Sequence, residues 1–196
     1  MNRDAALPTF RPEAGVSIAQ ASPWHSQSVT LDSLALQVFT DLTQVKAATV
    51  HPATTLVQAE QTMIYQGVRM LFVVSQMPAI EGMVTAADLH GDRQMRLVHQ
   101  RGARYQDLTV ADVMSSLSML DAVDYGRLRA ARVGNIIATL ARTGRDHLLA
   151  IQEATAQTPR RVRGLFSRAQ IERQLGRSID VAPVAQSFSE IERALA

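Results

Sequence analysis

Residues 55 to 75 read TLVQAEQTMIYQGVRMLFVVS. Leu56, Ala59, Met63 and Ile64 recur at helical spacing, which predicts one buried helix face that stops at Gly67. Leu71 to Val74 is a continuous apolar run, the pattern of a strand covered on both faces. Residues 132 to 152, RVGNIIATLARTGRDHLLAIQ, repeat the sequence of events. Val133, Ile136, Ile137 and Leu140 form the helix face, Gly144 the stop, and Leu148 to Ile151 the strand. Gly67 and Gly144 stand 77 positions apart. Each half then passes through a loop into a second glycine-led apolar strand that opens a helix: GMVTAADL from 82 and GLFSRAQI from 164. The second of these loops, EATAQTPRRVR, is five residues longer than the first. Upstream of each unit, VFTDL (38 to 42) resembles VMSSL (113 to 117). The pattern predicts a strand–helix–strand–strand–helix unit used twice, with a linker helix region between the copies.

Before the repeat, Pro8, Pro12, Gly15 and Pro23 punctuate a polar segment that reads as an N-terminal arm, with Trp24 as its anchor. Asp32 is placed to cap a helix running to about Asp41, with Leu34, Leu36, Val38 and Phe39 apolar. The expected organisation is an arm over 1–30, a first unit with its preceding helix over 31–107, a second unit over 108–178, and a tail or helix over 179–196.

Composition narrows the function classes. The chain has 196 residues, 46% hydrophobic and 19% charged, which suits globular folding. Its net charge is +2, with one lysine among 20 basic residues against 18 acids, so no nucleic-acid footprint stands out. PRRVR (159 to 163) is a basic cluster, but no aromatic residue interleaves with it. Cysteine is absent, which excludes disulfides and thiolate chemistry. The five histidines show no metal-ligand spacing, and neither a nucleophile elbow nor a glycine-rich phosphate loop occurs. No apolar run reaches the roughly 18 residues of a membrane span, and the first residues hold no apolar core of a signal peptide. The expectation is a cytoplasmic protein that is not an enzyme, has no metal, cofactor or membrane, and does not bind nucleic acid.

The TVHPATTLVQAEQTM opening, the GVRMLFVVS strand, the GMVTAADL turn and the inter-unit TVADVM resemble a tandem pair of CBS domains, the family named after cystathionine β-synthase. The resemblance covers about 45 to 176 and is looser in the second half, where LDAVDYGRLRAARV replaces a short proline-containing opening. It implies an α+β fold of two β-α-β-β-α units about a pseudo-twofold axis. It also implies a homodimer, a further protein partner, and an adenosine ligand such as AMP or ATP. CBS pairs often bind such ligands through Gly-apolar-x-Thr/Ser-x-x-Asp, which here is Gly82, Met83, Val84, Thr85 and Asp88. Gly82 would let a ligand approach the backbone, Met83 and Val84 would edge the base, and Thr85 and Asp88 would accept from the ribose hydroxyls. The competing reading is that Asp88 caps its own helix. The resemblance adds Leu117 and Met119 beside the base, with Arg69, Met70, Arg145, Asp146 and His147 contributed by the strands; Arg69 or Arg145 would grip phosphate. A weaker second cleft would use Ala48, Val50, Leu165 and Ser167, with Gln170 in place of the aspartate and Arg168 toward a phosphate. The implied role is a sensor that signals by conformational change. The alternative is a CBS scaffold that binds no ligand.

Overall fold

The structure, a computed structural model, describes residue 11 and residues 28–179 apart from 91 and 103. The expected arm, Trp24 included, and most of the expected C-terminal tail lie outside these residues.

Both repeats form as units of mixed α and β structure. In the first, β2 (Thr49–Val50) leads into α1 (Leu56–Gln66), β3 (Met70–Val73), β4 (Gly82–Thr85) and α2 (Ala86–His90). In the second, β6 (Ala122–Asp124) leads into α5 (Val133–Thr143), β7 (His147–Gln152), β8 (Arg161–Ser167) and α6 (Arg168–Leu175). Between them lie α3 (Asp92–Arg101), the short α4 (Val110–Val113) and β5 (Ser115–Ser116); β1 (Thr40–Asp41) precedes the first unit. Local chemistry explains the boundaries. Thr55 and Gln58 form a reciprocal capping box at the start of α1, and Gly67 ends it at φ +65°, where side chains are disfavoured. Gly144 ends α5 in the same way.

The sheet boundary does not follow the sequence boundary near 107. One sheet has the order β2-β3-β4-β5 and the other β1-β8-β7-β6. Thus β5, from just before the second unit, completes the first sheet. β1, from just before the first unit, completes the second. The cores follow the sheets: Val110 and Val113 pack with Leu56, Leu71 and Val84, while Ala35, Val38 and Phe39 pack with Val133, Leu140 and Phe166. The inner faces of the two sheets meet at Phe72, Leu149 and Leu165. Phe72 and Leu149 are equivalent positions of the repeat, as a pseudo-twofold arrangement requires.

Two glycines make this exchange possible. A Cβ on Gly82 would lie 2.3 Å from the Ser115 carbonyl oxygen, and one on Gly164 would lie 2.1 Å from the Thr40 oxygen and 2.3 Å from Phe39 Cζ. The second exchange carries a further lock. The Arg163 guanidinium donates to both carboxylate oxygens of Asp41 at 2.9 and 2.7 Å and lies 4.7 Å over the Tyr125 ring. Arg163 holds the Asp41 carboxyl well below the usual carboxylate range.

Two sequence expectations need correction. The segment after Asp32 is not a helix to Asp41. It is a single 3-10 turn, Ala35–Val38, followed by β1. Phe39 leaves the helical conformation with ψ 131°, and Thr40 and Asp41 pair with Leu165 and Gly164 of β8 instead of continuing a helix. Ile64 is not on the buried face: it is 73% exposed, beside Tyr65 at 93%, because Leu56, Ala59 and Met63 alone span the width that the sheet covers.

Candidate functional site

A cavity of about 620 Å³ opens between the two units. Its walls come from four places: the segment between β1 and β2, the start of β3, the turns into α2 and α6, and the start of β7. Leu42, Val45, Ala47, Ala48, Met70, Phe72 and Leu165 supply an apolar lining wide enough for a planar ring system. Lys46, Arg69 and Arg173 stand around the same cavity. None of the three has an ion-pair partner among the described residues. Arg168 also lines it but is committed elsewhere: Nη1 lies 3.1 Å from Asp146 Oδ1, and Nε lies 3.5 Å from Glu172 Oε1. It is therefore a strut between β7 and α6 rather than a free phosphate contact.

This cavity lies on the side the sequence marked as the weaker cleft. Ala48, Leu165, Ser167 and Gln170 line it. Val50 does not; it is buried in the core of the first unit. Arg69, Met70, Thr85, Asp146 and His147, which the sequence grouped with Asp88, also line this cavity. Gln170 has a structural job. The Thr40 hydroxyl donates to its Oε1 at 3.0 Å, and its Nε2 donates to the Val38 carbonyl at 3.2 Å, so the amide ties α6 to the exchanged segment.

The motif around Asp88 is built differently from the expectation. The Thr85 N–H and hydroxyl both donate to Asp88 Oδ2, at 2.8 and 2.7 Å. Asp88 thus closes the turn into α2, and its neighbour Val84 is fully buried in the core. Met83 is also buried. The space beside Gly82 is filled by the Ser115 backbone, so this glycine serves strand exchange rather than ligand approach. Leu117 and Met119 are 40% and 61% exposed and are not part of the cavity wall. Arg145 reaches across this cleft, donating to the Met119 carbonyl at 3.2 Å with Asp121 at 3.5 Å. Where the first repeat has Arg69, the second has Asp146; both line the same cavity between the units, and Asp146 is held there by Arg168.

His147 lies where these parts meet. Burial pushes its imidazole below the usual histidine range, while Asp146 and Asp88 pull it back up. Nothing in the sequence groups Lys46, Arg69 and Arg173, because they are far apart along the chain. Among the described residues, no cluster of three metal-ligating side chains occurs, and no helix is long and apolar enough to cross a membrane.

No family model matches the chain, and no curated protein matches it. Solved structures do. An uncharacterized conserved protein from Pyrococcus horikoshii is 19% identical, with a TM-score of 0.54 over 79% of this chain and 100% of that one. The CBS domain pair of protein MJ0100, solved with 5′-methylthioadenosine and S-adenosyl-L-methionine, is 14% identical, with a TM-score of 0.50 over 74% and 96%. A hemolysin-like protein containing a CBS domain from Oenococcus oeni is 15% identical, with a TM-score of 0.50 over 74% and 91%. At such identities the likeness is one of fold. The chain has the fold of a tandem CBS-domain pair.

Proposed function

We propose that this chain is a regulatory module that binds one anionic adenosine nucleotide, such as AMP or ATP, in the cavity between its two units. The observation that carries this reading is the cavity itself. Apolar walls suited to a base stand beside Lys46, Arg69 and Arg173, three cations with no ion-pair partner among the described residues. The adenosine compounds bound by the MJ0100 pair support the ligand class. Because the walls come from both units and from the exchanged segment, a bound nucleotide would draw these parts together, and a partner protein would read the change. No reaction is assigned to the chain. Isothermal calorimetry with AMP and ATP tests the proposal. One binding event per chain is expected, and no heat from either ligand would overturn it.

The scaffold alternative draws on Gln170 and Asp88, whose side chains are both engaged within the fold. Either reading includes a homodimer. Val57, Ile64 and Tyr65 form an exposed apolar stripe on α1, and a second copy of the chain is the occupant proposed for it. Light scattering of Tyr65→Asp checks this: the variant should shift toward monomer, and an unchanged dimer would exclude the stripe as the interface.

A further inference from the structure

We propose that His147 couples the cavity to pH: when an anionic ligand binds, the site takes up a proton at this imidazole. The inference rests on reading the cavity as a nucleotide site.

The geometry carries it in three ways. His147 opens β7, pairs across the ladder with Ser167, and lines the cavity with Arg69 and Lys46. Neither ring nitrogen has a hydrogen-bond partner among the described residues, so no fixed contact holds the ring in one protonation state. The equivalent position of the first repeat is Met70, which also lines the cavity, opposite Thr85. An apolar side chain therefore suits this backbone position, and packing does not demand an imidazole.

The surroundings set the sign. Asp146, from the turn before β7, and Asp88, from α2, favour the charged ring. Burial opposes it. The cations Arg69 from β3, Lys46 from the β1–β2 segment, and Arg168 and Arg173 from α6 line the same cavity, as does Glu172. In the protein without an anion the ring is neutral around pH 7. An anion held by these cations beside the part-buried ring favours its charged form and raises the ring's proton affinity. Linkage then requires that affinity rise as pH falls.

The test is calorimetry of the full chain with ATP and with AMP, from about pH 8 down to about pH 6.5, in buffers of different ionisation enthalpy. The ligand phosphates titrate near pH 6 themselves, so wild type is compared with His147→Met, which copies the first repeat, and with His147→Gln. Relative to both variants, wild-type affinity should tighten by roughly twofold over this range, since the full gain appears only at pH values below the ring's own lowered range. Wild type should also take up a fraction of a proton that the variants do not. Binding with equal proton uptake in all three proteins would overturn the inference and leave the nucleotide reading standing. Absence of binding at every pH would overturn both.

Discussion

The two repeats of this molecule are made from equivalent elements yet present different side chains to the cavity between them. Around Gln170 stand Lys46, Arg69 and Arg173, without ion-pair partners among the described residues. The second repeat places Asp146 at the position of Arg69; it lines the same cavity but is held by Arg168, while its neighbour Arg145 is drawn to Met119 and Asp121. The first repeat kept the motif; the cavity around Gln170 has the space and the cations. The difference teaches that a binding motif in a repeat has two separable parts. Its glycine and its carboxylate can be held by the demands of the fold, while the capacity for a ligand is decided by residues contributed from elsewhere.

The largest effect should come from the two glycines at the strand exchanges. Gly164→Ala would force the exchanged strand away from β8, with an expected loss of about 3 kcal/mol, or roughly 6–12 °C in Tm. Gly82→Ala should act similarly on β5. Scanning calorimetry decides: an unchanged Tm in either variant would show that the exchanged strand tolerates a side chain there. Next in size is the cavity's charge. Arg69→Ala should weaken nucleotide binding roughly ten- to hundredfold, the worth of a charge-assisted contact, whereas Arg145→Ala should change it less than about threefold. The reverse ranking, measured by titration calorimetry, would move the ligand to the Asp88 cleft.

Much of the architecture was readable in the sequence because the signals were local. The helix stops at Gly67 and Gly144 and the apolar runs of β3 and β7 each need only a few neighbouring residues to be recognised. The matched VFTDL and VMSSL segments were visible too, but not the fact that they cross over. β1 and β5 are two residues long, and a pairing so short leaves no periodicity. The site was harder. Thr85 and Asp88 fit a ligand motif and a capping box equally well, because both uses need a hydroxyl and a carboxylate three residues apart. Only the packing of one unit on the other gathers Lys46, Arg69 and Arg173.

Acid should separate the two units. Asp41, whose carboxyl is held below its ordinary range by Arg163, contributes stability that is complete above the unfolded pKa of about 3.9 and is lost as pH falls through its folded value. The β5 exchange has no such pair among the described residues. Acid should therefore release β1 before β5, and hydrogen exchange at pH 3 against pH 5 would detect it. Asp41→Asn should remove the difference; equal protection of both strands at low pH in wild type would refute the assignment. The smallest effect is expected at Asp88. Asp88→Ala should cost about 1 kcal/mol as a lost cap and leave nucleotide affinity within about threefold. A hundredfold loss would restore this aspartate as a ligand contact.

The ion pair of Asp41 with Arg163 joins residues 122 positions apart. During synthesis the N-terminal partner leaves the ribosome long before its counterpart exists. Thr40 and Asp41 must then wait, unpaired, until nearly the whole described chain has emerged. Closing so long a loop comes late and slowly in folding. The second sheet thus acquires its fourth strand last, and a nascent chain halted near residue 160 would carry a finished first sheet and a second one with an open edge.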